Sequence, residues 1–400
     1  MKKIRVAVNG CGRIGRAFIK LAAKRKEIEV VAVNDIADIK NIAYLLKYDT
    51  VYKNTDKETR IYPVTNSTES KSVEKIKQGD ITSTKNDTCG FGEIGNGVNA
   101  DIVADGKQYI MFGDQKIIYL SEKEAEKLPW KDLNIDVVVE STGRFTSYEA
   151  SKVHLDAGAK KVVISAPAKD DKGADKRGLE TRINADKENT IKGETVLMGV
   201  NEEKMKGCDI TSNASCTTNA ASPLIAILYE KLGIEKAILN TVHGYTASQG
   251  IVDGPNKKDF REGRAAAQNI VPSSTGAAIA VTKAFPQLSG LFDGVSMRVP
   301  VVCGSIVDIT FIAKRNTTKE EVNEILKKAS EEERWKGIFA VTEEELVSSD
   351  ILGDPHASIA DLKFTRVVGG NLVKVMAWYD NEMGYTYTLV EHVIKMGNSL

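Results

Sequence analysis

The stretch IRVAVNGCGRIGRAFIKLAAKR at 4–25 limits the possible folds of this chain more than any other. A Val/Ile/Ala run gives way to glycines, and the glycines to apolar residues at helical spacing; a second β-branched run, IEVVAVND at 28–35, closes the unit. Continuous apolar strands suit a parallel sheet covered on both faces, so the pattern predicts strand, glycine turn, helix, strand. Gly10, Gly12 and Gly15 fit G-x-G-x-x-G, and Asp35 ends the second strand at the distance where a dinucleotide site needs a carboxylate for ribose hydroxyls. Such glycines let backbone amides approach a pyrophosphate at a helix start. The unit points to dinucleotide binding, and the charge of Asp35 favours NAD over NADP by repelling a 2′-phosphate. A glycine turn with no ligand is the plainer alternative, and strand, helix and acid in register weigh against it.

Strand–helix alternation resumes at 135–143, 147–159 and 160–168, continuing a doubly wound sheet. Beyond residue 216 the pattern changes. A helix over 216–233 precedes longer strand candidates at 236–246, 294–313 and 371–380. A helix over 318–332 opens with a Thr cap and an acidic first turn, and helical periodicity returns at 383–397. This second part reads as α+β. The segments 53–100 and 169–194 are polar, with few core-forming residues, and read as surface insertions into the first domain; the end of the former has the pattern of a hairpin.

Lys+Arg and Asp+Glu both number 55, so no bulk charge draws the chain to nucleic acid or an anionic membrane. No apolar run approaches the roughly 18 residues of a spanning helix, and the N-terminus runs directly into a strand pattern rather than a signal peptide. The cysteines at 11, 89, 208, 216 and 303 form no CxxC pair and no metal-ligand spacing. The expectation is therefore no disulfide framework, no metal and a cytoplasmic location.

Cys216 lies in SNASCTTNAAS at a helix start, where partial positive charge and free N–H groups lower a thiol pKa. It is the best thiolate candidate of the five cysteines; the others keep the ordinary reading of an inert buried thiol. His243, in LNTVHGYTASQG, reads as a histidine ending a strand, and one sequence does not say whether it meets Cys216.

In order along the chain, NGCGRIGR (9–16), NASCTTN (213–219), TVHGYTASQ (241–249), SSTGAA (273–278), MRVP (297–300) and WYDNEMGY (378–385) closely resemble the phosphorylating glyceraldehyde-3-phosphate dehydrogenases. The resemblance spans the chain outside the two insertions. It implies a Rossmann-type doubly wound parallel sheet with a second α+β catalytic domain on a mostly antiparallel sheet. The NAD-binding domain would comprise 1–215 plus 381–400, and the catalytic domain 216–380. It implies that Cys216 adds to the aldehyde as nucleophile, that His243 activates the thiol and moves protons, and that a thiohemiacetal then yields hydride and becomes a thioester, which phosphate attacks. Thr246 and Arg298 match one phosphate site; Ser215, Thr217, Thr275 and Gly276 match the other. For NAD it implies Gly10, Gly12, Arg13, Ile14 and Gly15 at the glycine loop, Asp35 at the adenosine ribose, Thr142, Gly143 and Ser165 at the sheet edge, Asn381 on the nicotinamide amide, and Tyr385 backing the ring. The loop 248–270 resembles one that reaches toward a neighbouring subunit, implying a homotetramer. Cys11 and Gly244 stand where bulkier residues are usual, and Ala220 where a second cysteine is frequent.

Two rival readings remain at this stage. Erythrose-4-phosphate dehydrogenase shares the cysteine signature and the dinucleotide domain, but departs from HGYT and SSTGAA. A catalytically idle binding protein on the same fold would be expected to have lost Cys216, His243 or Arg298, all of which are present.

Overall fold

The computed structural model describes residues 2–52, 98–102, 107–113, 115–169, 192–257 and 259–400. Most of the two segments read as insertions therefore lies outside the described residues. Their last residues do not behave as surface elaboration: 98–100 and 193–194 belong to strands of the main sheet.

The first sheet is assembled in the order the glycine motif predicts. β1 (Ile4–Asn9) leads through the glycine turn to α1 (Arg13–Ala22), β2 (Ile28–Asn34) and α2 (Ile39–Lys47). β3 (Val98–Ile102), β4 (Gln108–Phe112) and β5 (Gln115–Leu120) follow, with β3 and β4 forming the expected hairpin. Next come β6 (Val137–Glu140), α3 (Tyr148–Asp156), β7 (Lys161–Ile164), β8 (Gly193–Thr195) and β9 (Ile210–Ser212). The strand order is β3-β4-β5-β2-β1-β6-β7-β9-β8; pairing is parallel except at the β3-β4-β5 edge. From β1 the chain winds outward one way through β2 and the other way through β6. The carboxyl ends of β1 and β6 thus flank the crevice at which open α/β sheets take their ligands.

α4 (Cys216–Leu232) leaves the end of β9 and begins the second part. β10 (Ile234–Gly244), β11 (Val271–Ser274), α5 (Ala277–Ala284), β12 (Phe292–Val299), β13 (Ser305–Ala313), α6 (Lys319–Ser330), β14 (Phe339–Thr342), β15 (Ser358–Asp361), β16 (Arg366–Val368) and β17 (Leu372–Tyr379) follow, and α7 (Met383–Asn398) ends the chain. The single strand read over 294–313 is two. Pro300 and Gly304 (φ 94°) bracket the break, since proline has no N–H for a ladder and glycine alone takes that φ without strain. The second sheet runs β11-β12-β10-β13-β17-β15-β14, mostly antiparallel, with β10–β12 and β14–β15 parallel.

Each sheet buries its apolar face under helices. Val6, Val8 and Val139 pack with Phe18 and Ile19 of α1 and with Leu389 and Val393 of α7, so the last helix of the chain closes the first sheet. Leu224, Leu228, Val322 and Leu326 cover Val307, Ile309, Val373 and Val375 of the second. Thr318 caps α6 as predicted, its hydroxyl accepting from Glu321 N at 3.2 Å.

Candidate active site

The three motif glycines meet different requirements. Gly10 holds φ 101°, and a Cβ there would lie 2.7 Å from Ser141 C and Thr142 N. A Cβ on Gly15 would fall 2.0 Å from Gly10 O, so α1 could not lie this close to β1. At Gly12 a Cβ would meet nothing within 4 Å, which leaves the start of α1 open to an incoming pyrophosphate. Cys11 is clamped between them, its N–H donating to Asp35 Oδ2 at 2.7 Å and its carbonyl accepting from Arg16 Nη1 at 2.7 Å. Asp35 Oδ1 accepts from Ala37 N at 2.9 Å, so the carboxylate is held by two backbone N–H groups and retains lone pairs for ribose hydroxyls. Ile14 packs on the core of the first sheet. The Arg13 guanidinium pairs with Asp49 at 2.7 Å and with Glu382, which leaves only its backbone to face a cofactor.

Beneath the turn lies a buried polar network absent from the sequence reading. Glu140 Oε2 accepts from Asn9 Nδ2 at 2.7 Å and lies 3.0 Å from His154 Nε2; Oε1 accepts from Thr142 N at 2.8 Å. Trp130 Nε1 donates to His154 Nδ1 at 3.2 Å, so Nε2 carries the imidazole proton toward Glu140. Glu140 thereby anchors Thr142 and the following Gly143 (φ 72°) at the carboxyl end of β6. Ser165 sits beside them at the end of β7, its N–H donating to Glu140 O.

Cys216 is the first residue of α4, after a turn in which Ala214 adopts φ 54°, a left-handed conformation that costs a non-glycine residue about 1–2 kcal/mol. Several bonds hold that turn. Ala214 N donates to Ser212 Oγ at 3.0 Å, Tyr385 Oη donates to Ala214 O at 3.2 Å, and Asn219 Nδ2 donates to Asn213 O and Ser215 O. Ser215 caps α4, its Oγ accepting from Thr218 N at 3.1 Å. Thr217 is buried with Oγ1 2.9 Å from Tyr379 Oη, whose hydroxyl also lies 2.8 Å from Thr241 Oγ1.

His243 is the last residue but one of β10, and the parallel register of β10 and β12 places Arg298 directly beside it. Its Nε2 stands 3.4 Å from Cys216 Sγ. Nδ1 lies 2.6 Å from both Gly244 O and Arg298 Nη1. A carbonyl only accepts and a guanidinium only donates, so Nδ1 satisfies one of them at a time. With its proton on Nδ1, donated to Gly244 O, the ring turns a bare Nε2 to the thiol, as a general base must. Burial, then the charge of Arg298, pushes the imidazole pKa down to about 3, against the Gly244 carbonyl. Burial likewise raises the Cys216 thiol, outweighing Arg298 and the hydrogen bonds at Thr217. This corrects the expectation of a thiol lowered by its helix start.

Among the described residues Arg298 has no carboxylate partner, and its buried Nε has no hydrogen-bond partner, so most of the guanidinium fork is available to an anion. Thr246 follows the end of β10, with Oγ1 3.0 Å from Ser248 Oγ. Thr275 and Gly276 cap α5, which packs beside α4. No hydrogen bond joins Thr246, Thr275 or Gly276 to Cys216 or Arg298 among the described residues. Asn381 stands between β17 and α7, its Oδ1 accepting from Gly304 N at 3.0 Å and Ser305 Oγ at 2.9 Å. Tyr385 is buried in the first turn of α7. Alternation along β17 places Tyr379 with Val373, Val375 and Ala377 on its inner face, a signal that would have found it; Ser305 and Glu140 carry no such signal.

Fold and site together define a class: a two-sheet α/β protein with a glycine-loop dinucleotide crevice and a cysteine–histidine pair flanked by an arginine. Residues 4–92 and 84–148 match the family model for the NAD binding domain of glyceraldehyde 3-phosphate dehydrogenase, and 215–381 match that for its C-terminal domain. The chain belongs to the glyceraldehyde-3-phosphate dehydrogenase family. It is 40% identical over 400 residues to a glyceraldehyde-3-phosphate dehydrogenase of Streptomyces coelicolor, covering 99% of both chains. It is similarly 40% identical over 390 residues to that of Geobacillus stearothermophilus, covering 97% of this chain and 96% of the other. Glyceraldehyde-3-phosphate dehydrogenase 1 of Kluyveromyces lactis is 39% identical over 394 residues, covering 98% and 99%.

Proposed function

We propose that the chain oxidises D-glyceraldehyde 3-phosphate to 1,3-bisphosphoglycerate with NAD and inorganic phosphate. The observation that carries this reading is the 3.4 Å approach of Cys216 Sγ to His243 Nε2 beside Arg298, which has no carboxylate partner among the described residues. His243 Nε2 takes the thiol proton as Cys216 Sγ bonds to the aldehyde carbon, giving a thiohemiacetal. NAD, when bound, supplies the two-electron acceptor that converts this adduct to a thioester. Phosphate oxygen then attacks the thioester carbonyl, the C–S bond breaks, the acyl phosphate leaves, and the cysteine sulfur recovers its proton. A thioester suits the task because its carbonyl remains reactive toward phosphate.

The residues present fit NAD: the open face at Gly12, the anchored carboxylate of Asp35 and the exposed Thr142–Gly143 turn line one crevice. Asn381 would hold the nicotinamide amide and Tyr385 support that end of the site. Arg298 and Thr246 would take one phosphate, and Ser215, Thr217, Thr275 and Gly276 the other. In this reading 1–215 with 381–400 form the cofactor domain and 216–380 the catalytic domain, in the cytoplasm. Ile251, Val252, Phe260 and Ile270 stand exposed along 248–270, which supports assembly with further copies of the chain into a tetramer.

The test is NAD reduction with glyceraldehyde 3-phosphate and, in parallel, erythrose 4-phosphate. The three-carbon substrate is expected to win clearly in kcat/KM; comparable efficiency on the four-carbon sugar would reverse the choice of substrate.

A further inference from the structure

Ser305 opens β13 immediately after the 300–304 break and is 2% exposed. Its hydroxyl has no freedom of assignment. Gly244 N can only donate, so Ser305 Oγ accepts that bond at 3.2 Å, and the hydroxyl proton goes to Asn381 Oδ1 at 2.9 Å. Gly304 N, also only a donor, meets the same Oδ1 at 3.0 Å, so the oxygen of the Asn381 amide is the atom facing β13 and Nδ2 is turned the other way. Gly304 holds this place at φ 94°, and a Cβ there would lie 2.6 Å from Ser348 O. A continuous chain therefore runs from Asn381 through Ser305 Oγ to Gly244, whose carbonyl faces His243 Nδ1, and from His243 Nε2 to Cys216 Sγ.

We infer that Ser305 is a positioning residue: its hydroxyl fixes the face of the Asn381 amide and ties it to the strand that carries His243. The inference rests on the reading of Asn381 as the nicotinamide anchor. Gly304 N and Ser305 Oγ hold the amide oxygen together, the serine adding the bond that ties it to β10, so Nδ2 is offered as a donor before the dinucleotide arrives.

The test is the dissociation constant for NAD, measured on the substrate-free protein by quenching of intrinsic fluorescence. Ser305→Ala is expected to weaken NAD roughly fivefold, the scale of one net hydrogen bond lost from an amide oxygen that keeps Gly304 N. Ser305→Thr, which keeps the hydroxyl, should stay within about twofold of the unmodified protein. In an Asn381→Ala background the Ser305→Ala penalty should disappear, because the serine acts through that amide. A penalty that persists without Asn381, or a threonine variant as weak as the alanine one, overturns the inference. If Asn381→Ala alone binds NAD normally, the assignment of Asn381 fails instead, and the inference falls with it. Should Ser305→Ala not fold, the near-isosteric Ser305→Cys, with its weak S–H donor, is expected to weaken NAD several-fold and to lose that effect without Asn381.

Discussion

Replacing Asp35 with asparagine separates the two duties of that carboxylate. Cys11 N approaches Oδ2 at 2.7 Å and Ala37 N approaches Oδ1 at 2.9 Å, so each oxygen already receives an N–H. An asparagine amide has one oxygen, and whichever way it turns, one backbone N–H meets its NH2 group. A hydrogen bond to a charged group contributes about 1.5–3 kcal/mol. Asp35 is half-buried and water replaces part of the loss, so the low end, ~1.5 kcal/mol, applies. For a chain this long that lowers the melting temperature by roughly 2 °C. The charge itself acts on cofactor choice. Repulsion between a carboxylate and a nearby, partly solvated 2′-phosphate is on the order of 1–3 kcal/mol, roughly 5- to 150-fold in relative affinity. Asp35→Asn is therefore expected to narrow the NAD over NADP ratio of kcat/KM by about tenfold or more while lowering the melting temperature of the ligand-free protein. A lower melting temperature with an unchanged cofactor ratio would reduce Asp35 to a brace for the glycine loop and refute its role in discrimination.

The motif glycines give a second contrast: Gly12→Ala should leave stability unchanged but weaken NAD, whereas Gly15→Ala, whose Cβ would lie 2.0 Å from Gly10 O, should cost about 3 kcal/mol or more in denaturant unfolding. Equal stability of the two variants would contradict this account of the turn. Since burial raises the Cys216 thiol and lowers the His243 imidazole, alkylation of Cys216 by iodoacetamide in the ligand-free protein should climb steadily from pH 6 to 9; a plateau below pH 7 would show a thiolate–imidazolium pair instead. His392, buried between Thr211 Oγ1 at 2.8 Å and Asn213 Oδ1 at 3.0 Å, is pushed from 6.5 down to about 3 by burial and Lys395. Its folded pKa lies below its unfolded one, so its stabilising contribution is complete above pH 6.5 and is lost as pH falls toward 3. His392→Gln should flatten the stability slope between pH 4 and 6 by about 1.4 kcal/mol per pH unit, and an unchanged slope would argue against a neutral buried His392.

Sequence alone reached the β1–α1–β2 unit of the first sheet because its signals are local: the glycines, the apolar strands and Asp35 lie within one short stretch. It reached the hairpin at β3 and β4 for the same reason. The break between β12 and β13 was missed because the strong β-branched run on either side outweighed Pro300 and Gly304 as stop signals. Cys216 was legible as a cysteine at a helix start, but the sign of its pKa shift was not. A helix start is visible in sequence, while burial is a property of everything packed around it, and burial outweighs the helix start. The contact of His243 with Cys216 depends on how α4 lies against the second sheet, and its contact with Arg298 on the parallel register of β10 and β12. The Glu140–His154–Trp130 network and the Ser305–Asn381 bond join residues far apart in the chain, and nothing local marks these pairings.

The central claim is that oxidation proceeds through an acyl group held on Cys216 until phosphate removes it. The direct measurement is rapid mixing of the protein with NAD and glyceraldehyde 3-phosphate in the absence of phosphate, following NADH and then the mass of the quenched protein. One equivalent of NADH or less per active site, an acyl adduct mapped to Cys216, and continuous turnover only after phosphate is added are the results this account predicts. Sustained NADH production without phosphate, or the same burst from Cys216→Ser, would contradict it.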